Sequence, residues 1–578
     1  MKDVFSKLAP FIQEYIYNHG WEEIRPIQVA ACECIWETDK NLLLASGTAS
    51  GKTEAAFLPI LTALEEKPSS SIGILYISPL KALINDQFER IEEMLKEADI
   101  PVTKWHGDVS QSAKAKLMKC PRGILQITPE SLEAMLMRNR ANVIRLFSDL
   151  RYIVIDEVHY FMNDDRGIQL LCILERIQKL IGKVPRRVGL SATLGNYSLA
   201  KKWLSAGTDK ECVVPEVPEL KRKVGLKIAY FTGERQEEQG YYSYLYEKTL
   251  GKKCIVFANA KADVEESIAH LKDIANKKHT KDVYFVHHAN VATSLRKQAE
   301  EEMKREDTLT VTGATLTLEL GIDVGRLDRI IQIGCPYTVS SFVQRLGRCG
   351  RRGQMAEMLF LYKREKQDDK SPFYKVMDFA LLKNIAILLL YLQEKWIEPM
   401  EKNTLPYSLL YHQTMSHLFS VGCASPKELA KTILTLTPFQ KVSKEEYKAL
   451  LRYWISIQEI ERDEDGNLLI GEKGEKKVNF FQFFSVFEEA VEYAVRDGAQ
   501  EIGTVQALFP LGETFSLAGF TWKVVEVNEE KRQIFVKKTN GVAKVAWNGE
   551  FANFVPTKVM QKVREVLQEA EEYRFFDE

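Results

Sequence analysis

The sequence predicts an α/β protein in which two parallel-sheet units follow one another and smaller, partly antiparallel modules complete the chain. Three observations carry that prediction. From about residue 20 to 210, short runs rich in Ile, Val and Leu alternate with amphipathic stretches, and a second series of the same kind fills roughly residues 220 to 370. Runs that are apolar on both faces and separated by helical periods are what a parallel sheet covered by helices requires. Beyond Pro372 the signature changes, first to capped helices and then, from about residue 500, to alternation of apolar and polar residues.

The bulk properties agree with several folded domains. At about 100 to 200 residues per domain, 578 residues make three to five. Hydrophobic residues at 45% and charged residues at 28% are ordinary for a chain that folds throughout. The net charge of -1, from 79 basic and 80 acidic side chains, announces no nucleic-acid partner, so any such site is a local one. The nine cysteines are scattered, the closest pair being Cys32 and Cys34, and no C-x-x-C spacing suits zinc or an iron-sulfur cluster. They read as reduced cytosolic thiols. The start "MKDVFSKLAP" lacks the apolar core of a signal peptide, and "FALLKNIAILLLYL" from Phe379 is interrupted by Lys383 and Asn384 and too short to span a bilayer. A buried helix and a cytoplasmic location are the expectation.

In chain order, the first unit offers the strands "NLLLAS", "IGILYIS", "GILQIT", "YIVIDE" and "RRVGLSAT". A linker containing "VVPEVPELKRK" leads to the second, with "KCIVFANA", "DVYFVHH", "LTVTGAT", "RIIQIGCP" and "EMLFLYKR". In sheets of this kind ligands bind at the carboxyl ends of the strands, and two units invite a cleft between them. A helical connector runs to about Met400. Ser425 then caps a helix with Pro426 at its first position, and Ser443 with Glu446 makes a capping box. Two capped helices followed by the hairpin "EIERDEDGNLLIG" resemble a winged helix. The alternation in "TFSLAGFTWKVVEVNEEKRQIFVKKT" reads as a small β-barrel, closed by a terminal helix around "TKVMQKVREVLQEA".

Three stretches carry chemistry. "ASGTASGKT", Ala45 to Thr53, follows an apolar strand and opens a helix. In that setting backbone N–H groups form an anion nest, Lys52 reaches outer phosphates and the Thr53 hydroxyl holds Mg²⁺. The letters G-K-T also occur at ordinary turns, so the loop alone leaves both readings open. "YIVIDEVHYF" ends a strand, expected beside the phosphate loop, in Asp156 and Glu157; such a pair can bind Mg²⁺ through the first carboxylate and orient an attacking water through the second. "VQRLGRCGRRG" places Arg345, Arg348, Arg351 and Arg352 on a glycine-punctuated segment, where arginines can act as fingers toward a γ-phosphate. An exposed basic patch is the plain alternative.

"RPIQ", "SPLKAL", "TPES", "DEVH", "SAT", "TLTLELGID" and "QRLGRCGRR", in that order, resemble the motifs of a superfamily 2 helicase of the DExH type. The surrounding words "YISPLKAL", "SATLGN", His287-His288, "LELGIDVGRLDRIIQIG", "SSFVQRLGRCGRR" and "EEAVEYAVRDGAQEIGTV" are similar to the Lhr (large helicase-related) family. The resemblance implies two tandem RecA-like domains (residues 1–215 and 216–370), a helical connector (371–403), a winged helix (404–478) and a β-barrel with a terminal helix (479–578). It also implies roles. Gln28, Gly47, Gly51, Lys52, Thr53, Gly321 and Asp323 would bind ATP. Lys52, Asp156, Glu157, Arg348 and Arg351 would be catalytic, with Thr53 and Asp156 on Mg²⁺. Pro79, Lys81, Thr128, Ser131, Thr315 and Thr317 would line a nucleic-acid track through contacts that position a strand without reading its bases. His159, Ser191, Thr193 and Gln344 would couple hydrolysis to movement.

Family members usually carry glycine where this chain has Ala49, and many Lhr proteins continue beyond the barrel. The expected function is an ATP-driven motor on single-stranded or tailed nucleic acid, most of all DNA, with RNA–DNA hybrids or RNA as further substrates. The 3′ to 5′ direction and a place in repair or in a defence system rest on the resemblance alone. A nucleotide-gated clamp that binds without unwinding is the alternative from another class. Trp454 is either a base-stacking group or a core residue on a helix with Leu450, Leu451 and Ile457.

Overall fold

A computed structural model of the 578-residue chain describes residues 4–47, 50–107, 109–162, 164–217, 223–232, 235–319, 321, 324–350, 355–364, 377–399, 405–486, 492–539, 543, 555–569, 573 and 575. The chain gathers into two compact units, each made of two separate segments: Met1–Glu219 with Pro399–Glu489, and Leu220–Glu398 with Ala490–Glu578.

The first unit is built on a parallel sheet of seven strands: β1 (Asn41–Ala45), β2 (Ile72–Ile77), β3 (Val102–Trp105), β4 (Gly123–Ile127), β5 (Tyr152–Ile155), β6 (Arg186–Ser191) and β7 (Cys212–Val213), in the order β3-β4-β2-β5-β6-β1-β7. The five apolar runs of the sequence are its central strands, and β1, β2, β4 and β6 are buried on both faces save the last residue of β1. The two edges, β3 and β7, carry the mixed sequences "VTKW" and "CV", which have no such signature. One expectation is corrected here. The strand ending in Asp156 is not beside the phosphate loop's strand: β6 lies between β5 and β1.

The second unit holds a six-stranded parallel sheet of β8 (Val224–Phe231), β9 (Cys254–Phe257), β10 (Tyr284–His287), β11 (Val311–Ala314), β12 (Arg329–Ile333) and β13 (Ala356–Lys363), in the order β10-β11-β9-β12-β13-β8. β8 lies just past the expected linker and pairs with β13 along its whole length. "FALLKNIAILLLYL" forms the helix Phe379–Leu392, with residues 384–390 buried. Among the described residues no helix is long and apolar enough to cross a membrane.

Residues 405–486 complete the first unit. The predicted caps are present: Ser425 Oγ accepts from Glu428 N at 3.2 Å, and Ser443 Oγ accepts from Glu446 N at 3.1 Å. Three short antiparallel strands, β14 (Cys423–Ala424), β15 (Ile460–Arg462) and β16 (Leu468–Ile470), include the expected hairpin. Trp454 is buried against the rings of Tyr411 and Tyr447, so the core reading holds and the ring is closed to a base.

The helix Tyr407–Val421 meets the first sheet's helices Pro129–Arg138 and Asp165–Ile181 through polar groups. Glu133, fully buried, accepts from Arg176 NH1 at 2.8 Å, Gln413 Nε2 at 2.8 Å and Ser416 Oγ at 2.5 Å. Burial would raise the Glu133 carboxyl, but Arg176 and these hydrogen bonds outweigh it and hold the group below the usual carboxylate range. Gln169 Nε2 reaches the Phe484 carbonyl at 3.0 Å, and Glu175 accepts from Thr437 N at 3.1 Å.

The C-terminal segment joins the second unit in the same manner. Its strands β17 (Tyr493–Asp497), β18 (Gln500–Val505), β19 (Thr514–Leu517), β20 (Phe520–Asn528) and β21 (Gln533–Thr539) make a sheet ordered β18-β17-β21-β20-β19, in which β17 and β21 run parallel. Among the described residues the sheet is open, with β18 and β19 as its edges. Buried Glu265 accepts from Ala518 N and Gly519 N, both at 2.7 Å, and from His288 Nε2 at 2.9 Å. Gly503 packs so closely that a Cβ there would lie 2.1 Å from the Asn290 carbonyl oxygen. The terminal helix Thr557–Gln568 lies along Phe379–Leu392, with Lys558 and Lys562 on Glu394 at 2.6 and 2.8 Å.

Candidate functional site

In the first unit the loop after β1 turns into the helix Lys52–Glu66 through Gly51, whose φ of +83° belongs to the left-handed region that glycine alone enters without strain. A side chain there would also collide: its Cβ would stand 2.8 Å from Gln28 Nε2. Gln28 is itself fixed, its Oε1 accepting from Arg25 N at 2.9 Å at the start of the helix Pro26–Glu37. The loop is closed by Ser46 Oγ on Ser50 Oγ at 2.5 Å and by Lys52 Nζ donating to the Ser46 and Gly47 carbonyls at 2.8 and 2.9 Å. Thr53 is buried one residue further on. Ala49, the departure in the motif, lies outside the described residues.

Asp156 and Glu157 leave the carboxyl end of β5 on the same edge of the sheet. Asp156 Oδ2 accepts from the Tyr76 hydroxyl at 2.5 Å and Oδ1 from Glu157 N at 2.9 Å. Burial and then the neighbouring Glu157 charge push the Asp156 carboxyl up to about 7, against the pull of Tyr76, the Glu157 amide and Lys52. Burial also raises the Tyr76 phenol well above its usual value. Glu157 sits at φ +50°, a strained conformation for a non-glycine residue and one that clusters at functional sites. His159 Nδ1 accepts from Ala192 N at 3.3 Å and meets Ser191 Oγ at 3.2 Å. A ring nitrogen that takes an N–H cannot also donate to a carboxylate, so the 3.4 Å approach of Glu157 Oε2 is proximity rather than an ion pair. Ser191 ends β6, and Thr193, half-buried, follows it. Ser46 N donates to the Ser191 carbonyl at 3.2 Å, so loop, acidic pair and "SAT" form one continuous rim.

The proposed strand contacts of this unit begin two helices on the adjacent strands β2 and β4. Lys81 is the exposed first residue of Lys81–Met94; Thr128 caps Pro129–Arg138, its Oγ1 accepting from Ser131 N at 3.4 Å. Arg166 joins the two, donating to the Pro79 carbonyl at 2.8 Å and to Glu130 at 2.7 Å. Two helix N-termini side by side suit anionic groups.

In the second unit Thr315 is buried at the end of β11 and Thr317 stands in the turn Leu316–Leu318. The Thr317 hydroxyl is engaged by His287, donating to its carbonyl at 2.9 Å and meeting Nδ1 at 2.9 Å, while His287 Nε2 meets Glu300 at 2.8 Å. Gln344 donates to Ser340 Oγ at 3.3 Å on the helix Val339–Leu346. Arg345 is fully buried on Glu319 at 2.9 Å and Gln332 at 2.5 Å, and Arg348, 2% exposed, donates to the Glu319 carbonyl at 2.6 Å. Gly321 is described; Asp323, Arg351 and Arg352 lie outside the described residues.

Sequence reasoning missed Tyr76, Arg166 and Glu319. Glu319 and Tyr76 stood inside quoted words without a role; Tyr76 and Arg166 reach Asp156 and the Pro79 carbonyl across 80 and 87 residues, for which no local spacing gives a signal.

Residues 25–200 match the DEAD/DEAH box helicase model and 219–353 the helicase conserved C-terminal domain. The chain belongs to the superfamily 2 helicases, with two tandem RecA-like domains. Within them it is similar to the ATP-dependent helicase Lhr-Core of Sulfolobus acidocaldarius, 26% identical over 93% of this chain and 63% of that one, and to Lhr-Core of Methanocaldococcus jannaschii, 32% identical over 61% and 43%. The chain thus spans 43 to 63% of the length of these curated relatives. Among solved structures, Mycobacterium smegmatis helicase Lhr bound to ssDNA and AMP-PNP superposes with a TM-score of 0.70 at 24% identity, covering 85% of this chain and 64% of that one. The helicase MrfA bound to DNA gives 0.71 at 19%, covering 94% and 74%. At these identities the likeness is one of fold.

Proposed function

We propose that the protein is a nucleic-acid-dependent ATPase that moves along one strand and separates duplex, with DNA as the principal substrate. One observation carries the proposal: a phosphate loop held by left-handed Gly51 and a carboxylate pair with left-handed Glu157 share one rim of a helicase-type sheet. Gln28 reads the adenine, the loop amides and Lys52 take the phosphates, and Glu157 orients the attacking water. The residues fit Mg²⁺: Asp156 is a buried carboxylate whose raised value a cation would relieve, and Thr53 is the hydroxyl of the motif. Bound there, the ion would neutralise charge on the outer phosphates.

Gly321, Asp323, Arg348 and Arg351 are the nucleotide-handling residues of the second RecA-like domain. Pro79, Lys81, Thr128, Ser131, Thr315 and Thr317 hold the strand through its backbone, and His159, Ser191, Thr193 and Gln344 pass the state of the nucleotide to that track. Residues 404–478 act as a winged helix and 479–578 as a barrel with a terminal helix, after domains at 1–215 and 216–370 and a connector at 371–403. The molecules bound in the superposed structures, ssDNA and DNA, support DNA as the substrate class; a 3′ to 5′ direction and a role in repair or defence in the cytoplasm rest on the family resemblance alone.

The test is steady-state ATP hydrolysis with and without single-stranded DNA or RNA, followed by strand displacement on duplexes tailed at either end. Stimulation by single strands and unwinding lost in Glu157→Gln are expected. Tight binding without hydrolysis or displacement on either tail would leave a clamp and refute the motor.

A further inference from the structure

We infer that Tyr76 is a positioning residue for Asp156, setting the carboxylate that faces the metal and tying it to the phosphate-loop helix. The inference rests on the nucleotide site proposed above. Its ground is the register of the two central strands. Tyr76 of β2 lies opposite Val154 of β5, and Ile77 opposite Ile155, with the pairing continued by Asp156 N donating to the Ile77 carbonyl at 2.8 Å. Side chains alternate along a strand, so Asp156 points to the same face as Val154 and Tyr76. It is the diagonal neighbour of Tyr76, at a distance that only a long or aromatic side chain crosses. The phenol does cross it, and its hydroxyl ends 2.5 Å from Oδ2.

Oδ1 is held from the other side by Glu157 N at 2.9 Å, so each carboxylate oxygen carries one donor and the plane of the group is fixed. Each oxygen keeps a second lone pair for a cation. Fully buried, the Tyr76 ring packs against Phe57 of the helix Lys52–Glu66, with centroids 6.0 Å apart. That helix begins with Lys52 and Thr53. The ring therefore touches the element that would carry the phosphate ligands, and its hydroxyl holds the carboxylate that would take the metal. A phenylalanine would fill the same volume without the hydroxyl.

Tyr76→Phe keeps the packing and removes one charge-assisted hydrogen bond, a loss that corresponds to roughly ten- to a hundredfold in an equilibrium constant. Binding of Mn²⁺ in the presence of a non-hydrolysable ATP analogue, read by electron paramagnetic resonance on the full chain, is expected to weaken by about that factor. In ATPase assays the Mg²⁺ concentration for half-maximal rate should rise likewise, with kcat at saturating Mg²⁺ within about twofold of wild type and metal-free nucleotide affinity unchanged. A merely structural role would lower kcat or the folded fraction without moving the metal requirement. Phe57→Leu, which loosens the ring but leaves the hydroxyl, should show the same shift in smaller measure. Unchanged Mn²⁺ affinity in Tyr76→Phe overturns the assignment of Tyr76 alone, whereas wild-type protein that retains no Mn²⁺ with nucleotide overturns the nucleotide-site reading and this inference with it.

Discussion

Glu133→Ala should loosen the seam between the first parallel sheet and the helix Tyr407–Val421. The truncation removes the acceptor of Arg176, Gln413 and Ser416 from a place with no solvent exposure. A neutral hydrogen bond contributes about 1 kcal/mol and one to a charged group about 1.5–3 kcal/mol. Leaving a buried guanidinium without its counter-charge costs roughly 3–5 kcal/mol in all, so about 4 kcal/mol is expected. Arg176→Met should cost a similar amount, because it strands the carboxylate instead. The double change Glu133→Leu with Arg176→Met takes both charges out together and should lie within about 1–2 kcal/mol of wild type, a coupling of several kcal/mol. A two-unit chain does not unfold in one step, so the readout is amide hydrogen exchange in Tyr407–Val421, which reports this seam by itself. Single variants that cost under about 1 kcal/mol, or effects that simply add, would refute the account of the seam.

Two further outcomes follow from the geometry. Gly51→Ala forces a left-handed alanine, at about 1–2 kcal/mol, and drives a methyl into Gln28 Nε2; affinity for a fluorescent ATP analogue should fall tenfold or more, and wild-type affinity would show that the loop does not bind as described. Burial, with Arg176, Arg140 and Lys179 nearby, pushes the His417 imidazole down to about 4. The unfolded chain then takes up the proton first, so its contribution is whole above about pH 6.5 and is lost as pH falls toward 4. The full difference is roughly 3 kcal/mol, and about 2 after allowing for partial exposure. Wild type should lose that much relative to His417→Gln between pH 7 and 4.5 in the amide hydrogen exchange of Tyr407–Val421, the helix that carries His417, and a gap that ignores pH would refute it.

What the sequence made legible was local. The strand-loop-helix run into Lys52, the acidic pair at the end of β5 and the N-caps Ser425 and Ser443 are defined by residues within a few positions of one another, so their letters are their geometry. Central strands were legible because burial on both faces leaves an unbroken apolar run; β3, β7 and β8 are partly exposed and carry no such run. Groups that meet across long stretches were not legible. Glu133 and Gln413 are 280 residues apart, Glu265 and Ala518 are 253, and no spacing in either segment marks its partner. The motif "TLTLELGID" marks Thr317, but that its hydroxyl is engaged by His287, 30 residues away, is revealed only by the fold. The five-stranded sheet was expected to close, and its parallel β17–β21 pair is a connection that alternation alone does not encode.

The two-segment build of each unit sets a timetable on the ribosome. Glu133 and Arg176 emerge with the first segment, but Gln413 and Ser416 follow only after Leu220–Glu398 has been made. At about 5–20 residues per second that interval is roughly ten to forty seconds. For that time the nascent first sheet carries a half-dressed charge pair on a face awaiting its cover, while the second sheet is already being laid down behind it. The second unit waits in turn for Ala490–Glu578 to bring Ala518 and Gly519 to Glu265. Neither unit is finished when its own motifs have been translated, and a chain released at residue 370 would hold every helicase motif and neither completed unit.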